Sequence, residues 1–260
     1  MKRLAAVAIA AVALLAGAST AFASTGGAGI KTTTPQPGGY FNWTLTPGSV
    51  QTDSIQAYNP NTDTETFLVA AVNGISTPGA GITAAATGTP KTGSTAWTSL
   101  SDPLAVSEPN GDLLLTIPAL SYQQVTFTVS EPLTAAVADY NTFLLVQGAK
   151  QCPSGQGEFG FCTVSQAAVR LLVSVPGPSV VSSTVGQITY GTAGPFYVLN
   201  VPVTNTGNRD LPAITRTFTV TACTGQTLAV VSGSFPAMTP GSTIALNIIS
   251  GQLTGCYTVK

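Results

Sequence analysis

The side chains that could do chemistry are few in this sequence, and one type is missing. The 260-residue chain has no histidine. That rules out Ser-His-Asp and Cys-His relays and metal sites built on imidazole. Two loose sets of carboxylates remain: Asp53, Asp63 and Glu65, then Asp102, Glu108 and Asp112. Two carboxylates suffice for glycoside hydrolysis, but neither set lies in a catalytic motif, and sparse acids near turns read as solubilising groups. Asp63 and Glu65 could approach calcium with loop carbonyls, yet the EF-hand spacing is absent. No G-x-x-x-x-G-K pattern offers a phosphate cradle. The expectation is a protein that is not an enzyme, with no catalytic residue, no cofactor and no metal.

Two features could carry recognition instead. Trp97 lies in a long segment rich in Gly, Thr, Ala and Pro, from Asn73 to Gly111. An exposed indole stacks on sugar faces and anchors interfaces, whereas a buried one would plug the end of a sandwich. The second is the stretch between Cys152 and Cys162, which displays Phe159 and Phe161 around Gly160. A disulfide closing that loop would pre-organise it for binding; alternatively the two phenylalanines cap a core. Trp97, Phe159 and Phe161 are therefore the candidate binding residues. The four cysteines read as two disulfides in an exported chain. Three pairings are open, and proximity favours Cys152 with Cys162 and Cys223 with Cys256.

The elements that must position these residues begin after an export signal. Met1-Lys2-Arg3 is basic, Leu4 to Leu15 is apolar, and Ala21-Phe22-Ala23 is a small-residue cleavage site, so the mature start is expected at Ser24. Lys2 and Arg3 leave with the signal, so nine basic residues become seven against ten acidic ones. With no basic stripe, nucleic acid is not an expected partner. No second long apolar run follows, so no membrane span is expected in the mature chain.

Short runs rich in Val, Thr, Ile and Phe recur between Gly, Pro and Asn clusters, the pattern of an all-β protein. Strands are expected at Tyr40–Leu45, Asp53–Tyr58, Thr64–Val72, Asp112–Ile117, Gln124–Ser130, Asn141–Gln147 and Thr163–Val175. The last lacks clean alternation and reads as central or buried on both faces. Val175-Pro176-Gly177-Pro178 cannot continue a ladder and marks a boundary. Beyond it, strands are expected at Ser183–Tyr190, Phe196–Thr204, Thr215–Thr221, Thr227–Ser232, Thr243–Ile249 and Cys256–Val259.

The fold class is thus two tandem immunoglobulin-like β-sandwich domains after a signal peptide. Residues 24–37 are expected to be a flexible segment, 38–175 the first sandwich, 176–178 a linker and 179–260 the second. An internal repeat supports the division. Ala57-Tyr58-Asn59-Pro60-Asn61 and Val203-Thr204-Asn205-Thr206-Gly207 each end a strand in an Asn turn. Ile117-Pro118-Ala119-Leu120 and Phe235-Pro236-Ala237-Met238 then each precede an alternating strand. Against the first half, the second is expected to lack a closing strand, and Asn73–Gly111 is extra, of a length that signals function or disorder.

Gly39-Tyr40-Phe41-Asn42-Trp43-Thr44-Leu45-Thr46-Pro47-Gly48, followed by Ser54-Ile55-Gln56-Ala57-Tyr58-Asn59-Pro60, resembles the opening of the WxL-interacting surface proteins of Gram-positive bacteria. Ile117-Pro118-Ala119, the Gln124–Ser130 strand and the Ala135–Val175 stretch are similar as well. The resemblance implies a first domain that binds peptidoglycan or another wall glycan and a second that engages a partner surface protein. Members continue into a last strand, a transmembrane helix and a basic tail, which this sequence does not contain. The expected function is that of a secreted, cell-wall-associated, non-catalytic binding protein. Alternatives are a structural subunit that self-assembles by strand addition and a carbohydrate-binding accessory module.

Overall fold

A computed structural model describes residues 27–34, 37–148, 164–193, 196–250 and 257–259. The expected signal, the Cys152–Cys162 loop with Phe159 and Phe161, and Cys256 lie outside the described residues.

The first half supplies β1 (Gly29–Thr32), β2 (Phe41–Thr44), β3 (Val50–Tyr58), β4 (Glu65–Thr77), β5 (Gly81–Ala84), a helical turn α1 (Ser94–Trp97), β6 (Thr98–Ser101), β7 (Val106–Ser107), β8 (Leu113–Ile117), β9 (Tyr122–Ser130), β10 (Asp139–Gln147) and β11 (Gln166–Ser174). One sheet runs β1-β3-β9-β6 and the other β2-β11-β10-β4-β8-β7, with β5 paired to the far end of β4. The chain therefore starts in one sheet and crosses to the other. β1 lies antiparallel to β3, while β2 runs parallel to β11. Gly38 and Gly39, both at positive φ, make the crossing, a conformation that side chains with a Cβ resist. Every second residue of the facing strands points inward and fills one core. Phe41, Trp43 and Phe127 stand at its centre, with Trp43 stacked on Phe127 at 5.3 Å between centroids.

Two expectations are corrected. Residues 29–32, read as part of a flexible segment, form β1, because Ala28 and Ile30 are buried in the core and the backbone pairs with Ile55–Tyr58. The Asn73–Gly111 segment is neither disordered nor a plain loop. It carries β5, α1, β6 and β7: β6 and β7 extend the two sheets beside β9 and β8, and the β5 end covers the outer face of β4 and β10, where Ala70, Val72 and Leu145 form a second small cluster with Ala84 and Phe143. Burial on both faces belongs to β4, while β11 is central, standing between β2 and β10. In β11, Ala167, Val169, Leu171 and Val173 are buried, while the residues between them are partly or fully exposed.

The second half supplies β12 (Ser183–Val185), β13 (Thr189–Ala193), β14 (Phe196–Asn205), β15 (Ile214–Ala222), β16 (Thr227–Phe235), β17 (Thr243–Ser250) and β18 (Tyr257–Val259). β12 and β13 share one side of β14 and β17 takes the other; β16-β15-β18 is the facing sheet. Leu199, Val201, Val203, Phe218, Val220, Phe235 and Ile244 are among the buried residues of this core. The protein is all-β, built as two sandwiches.

The repeat read from the sequence has a physical basis. Asn59 and Asn205 are both fully buried. Asn59 donates from Nδ2 to the carbonyls of Asp63 at 2.8 Å and Ile117 at 2.9 Å. Asn205 donates to Arg209 at 2.9 Å and Met238 at 3.1 Å. In each domain the amide fastens its own turn to the Pro-Ala stretch. Each then accepts at Oδ1 from the amide two residues on, Asn61 or Gly207. By this correspondence β3 matches β14, β4 matches β15, β9 matches β17 and β10 matches β18.

Candidate functional site

In the two carboxylate sets, Asp53, Asp102 and Asp112 hydrogen-bond to their neighbours. Asp53 accepts from the Ser54 amide at 2.7 Å and from the Thr34 hydroxyl at 3.2 Å. It stands within β3, away from Asp63 and Glu65 beyond that strand's end. Asp102 accepts from the Leu104 amide and Gln123 Nε2. Asp112, almost fully buried, holds Lys91 at 2.9 Å and Asn110 at 2.8 Å. Among the described residues no three His, Cys, Asp or Glu side chains are gathered for a metal ion.

Trp97 closes α1, half-buried against the first core, with its ring edge-on to Tyr140 at 4.7 Å. Ser94 and Thr95 of the same turn hydrogen-bond to the buried Thr142 of β10, which fixes the indole in place. The structure thus puts Trp97 at the sandwich end beside Tyr140. Phe159 and Phe161 lie outside the described residues, so it says nothing of a site shared with them. No described cysteine is free, and Cys223 is disulfide-bonded. Cys152, Cys162 and Cys256 fall outside the described residues, and the pairings stay expectations.

Two features were not legible from residue types, and a third was expected from the internal repeat. The outward-facing residues of β3 and β9 are uncharged. Thr52, Ser54, Gln56 and Tyr58 stand beside Thr128, Thr126, Gln124 and Tyr122 in cross-strand register. The Thr52–Thr128 and Gln124–Ser54 pairs hydrogen-bond at 2.9 and 3.1 Å, and Tyr122 is exposed at the rim. The alternation was visible in the sequence, but the pairing that brings the two rows side by side was not.

The second feature is the domain junction. Asp139, at the start of β10, accepts from Arg209 at 2.9 Å, from the Ser174 hydroxyl at 2.8 Å and from the Asp210 amide at 3.0 Å. Arg170 meets Asp210 at 2.6 Å and Asn141 at 2.7 Å, and Asn141 donates to both Asp210 oxygens. Burial pushes the Asp210 carboxyl above its usual range, while Arg170 and Asn141 pull it back. On the other flank the β4–β5 hairpin reaches the second domain, where Ser76 Oγ accepts from the Thr239 amide and donates to Ser242. A cleft of about 330 Å³ lies between, lined by Asn73, Tyr140, Asn141, Thr239 and Pro240 among others. Several of its polar groups are already bonded: Asn73 to Pro90 and Thr92, and the Tyr140 hydroxyl to the Ala136 carbonyl.

The third feature is the edge of the second sandwich. β10 has β4 on one side and β11 on the other, whereas its counterpart β18 has β15 on one side and, among the described residues, no strand on the other. The described residues also contain no helix long and apolar enough to cross a membrane.

No protein-family model matches this chain, and no curated protein matches it. Among solved structures it is similar to one from a study of a chaperone–tip adhesin complex in CFA/I fimbriae biogenesis, at TM-score 0.40 and 10% identity over 84% of this chain and 93% of that one. The class 5 fimbriae chaperone CfaA aligns at TM-score 0.37 and 10% identity, over 89% and 97% of the two chains. A Salmonella enterica complex of the SafA pilin with the SafB chaperone aligns at TM-score 0.35 and 11% identity, over 92% and 99%. At these values the likeness is one of fold class and says nothing of function.

Proposed function

We propose that this protein is an exported, non-catalytic binding protein that takes a partner surface protein as a strand added beside β18 and meets wall glycan through its first sandwich. The observation behind the partner contact is the side of β18 that carries no strand among the described residues, where the first sandwich has β11 in the matching place. An open edge presents unpaired backbone N–H and C=O groups, and an added strand satisfies them while its alternate side chains fill the core. β11 shows the chemistry such a strand needs: Ala167, Val169, Leu171 and Val173 turn inward at alternate positions. The glycan contact is supported by the uncharged hydroxyl and amide rows of β3 and β9 with Tyr122 at their rim, groups that hydrogen-bond and stack on sugars.

Two experiments test the halves separately. Mature protein carrying a photo-reactive residue at Thr258 should form protein adducts on intact cells, with a control at Asp102 of the first domain giving none. Equal adducts from both positions count against the strand contact. Adducts between copies, with polymers in size-exclusion chromatography, would favour the self-assembling subunit instead. For the first domain, saturable co-sedimentation with purified peptidoglycan sacculi is expected, and Tyr122→Ala should weaken it. Absence of pelleting would remove the wall contact.

A further inference from the structure

Glu131 is the polar side chain least accounted for among the described residues. It follows β9, in which Val125, Phe127 and Val129 alternate inward, and it keeps their phase, so it enters the end of the first core. It is 3% exposed, and neither carboxyl oxygen has a hydrogen-bond partner. Directly across the ladder the Ser49 hydroxyl is also buried and unpartnered. Backbone bonds hold the two residues opposite each other: the Glu131 amide donates to the Ser49 carbonyl at 3.0 Å, and the Gly48 amide to the Glu131 carbonyl at 3.1 Å.

An ionised carboxylate without a partner is strongly disfavoured in such a place. A neutral carboxylic acid is disfavoured far less, because it brings no charge into the site. Burial alone moves Glu131 above its usual range, and no cation offsets it. The titratable group that faces it is Tyr140 on β10, whose phenol is itself raised, by burial first and then by the Glu131 charge. From the strand opposite, Ser49 does not titrate.

We propose that Glu131 is a neutral acid in the folded protein and a pH-set latch on the segment Pro132–Ala138. That segment runs from Glu131 straight to Asp139, the carboxylate that receives Arg209, Ser174 and the Asp210 amide at the domain junction. Ionising Glu131 puts a charge into the core end. The strain is relieved when the start of the segment swings to solvent, which loosens the grip of Asp139. The folded state binds the proton more tightly than the unfolded chain. Stability from this group is therefore full below the ordinary glutamate range and is lost as pH rises through that range to the raised folded value.

The test uses the mature protein and its Glu131→Gln variant. Thermal midpoints are followed from about pH 4 to about pH 8, with amide exchange at Ala135 and Asp139 corrected for intrinsic rates. The Ala135 amide bonds the Pro132 carbonyl, and the Asp139 amide bonds the Asn208 carbonyl, so they report the segment and the junction respectively. The wild-type midpoint should fall relative to the variant as pH rises, and protection at both amides should fall with it only in the wild type. Parallel midpoint curves overturn the neutral acid. A falling midpoint with unchanged Asp139 protection overturns the latch. Should the glutamine variant fail to fold, carboxyl carbon NMR of the wild type decides: a midpoint above the usual glutamate range supports the proposal, and one within it overturns it.

Discussion

At the residue scale the two buried asparagines do the most for the fold. Each fastens a turn to a carbonyl far along the chain: Asn59 to Ile117, 58 positions away, and Asn205 to Met238, 33 away. Replacing either with alanine strands buried carbonyls, which costs about 1–3 kcal/mol for each group left unsatisfied. Asn59→Ala and Asn205→Ala are each expected to lower the stability of the protein by about 2–4 kcal/mol, read in urea titrations. An unchanged urea midpoint would mean that the freed carbonyls find other partners. The asparagines were legible in the sequence as turn residues. Their distant partners were not, since a hydrogen bond across the sandwich leaves no local pattern. Glu131 escaped notice because the expected strand Gln124–Ser130 stops one residue before it, although its inward phase continues Val125-Phe127-Val129. For Trp97, half-buried against Tyr140, Trp97→Ala is expected to lower stability by about 1–3 kcal/mol. An unchanged thermal midpoint would point instead to a surface binding role.

At the scale of elements, the strands with clean alternation were legible because a period of two with one buried face is a local property of the chain. β5, β6 and β7 were missed because they are short, lie in Gly- and Thr-rich sequence, and exist only as additions to strands already in place: β4, β9 and β8. The run of buried residues in β4, from Phe67 to Val72 with Leu68 alone half-buried, becomes intelligible once that segment covers its second face. Two glycines show how tightly the elements meet. A Cβ on Gly74 would lie 2.5 Å from the Asn141 Cβ, and one on Gly207 would collide with the Val180 carbonyl oxygen and lie 2.9 Å from the Ser182 amide nitrogen. Neither backbone neighbour can move without parting paired strands. Gly207→Ala is therefore expected to destabilise the second domain by about 2 kcal/mol or more, with loss of amide protection at Thr206 and Asn208. Gly191→Ala, which meets nothing within 4 Å, is the neutral control.

At the scale of the whole molecule, the two sandwiches are joined by more than the linker. Arg209 spans the gap, donating to Asp139 of the first domain and to the carbonyl of Val175 at 3.2 Å, while Arg170 reaches Asp210 in the opposite sense. The partners keep only 13% to 25% of their side-chain exposure, so each ion pair is largely shielded from solvent. Removing one member of such a pair leaves the other uncompensated, whereas removing both does not. Arg209→Ala and Asp139→Ala are each expected to cost about 1–3 kcal/mol, with the double change costing clearly less than their sum. The same crossed pairs make the domains unfold together, since neither can open without stranding charges on the other. Calorimetry of the wild type should give one transition that splits into two in Arg209→Ala. A single transition in both proteins would mean that the Ser76 contacts to Thr239 and Ser242 suffice to couple the halves. Two transitions already in the wild type would mean that the junction positions the domains without coupling their stability.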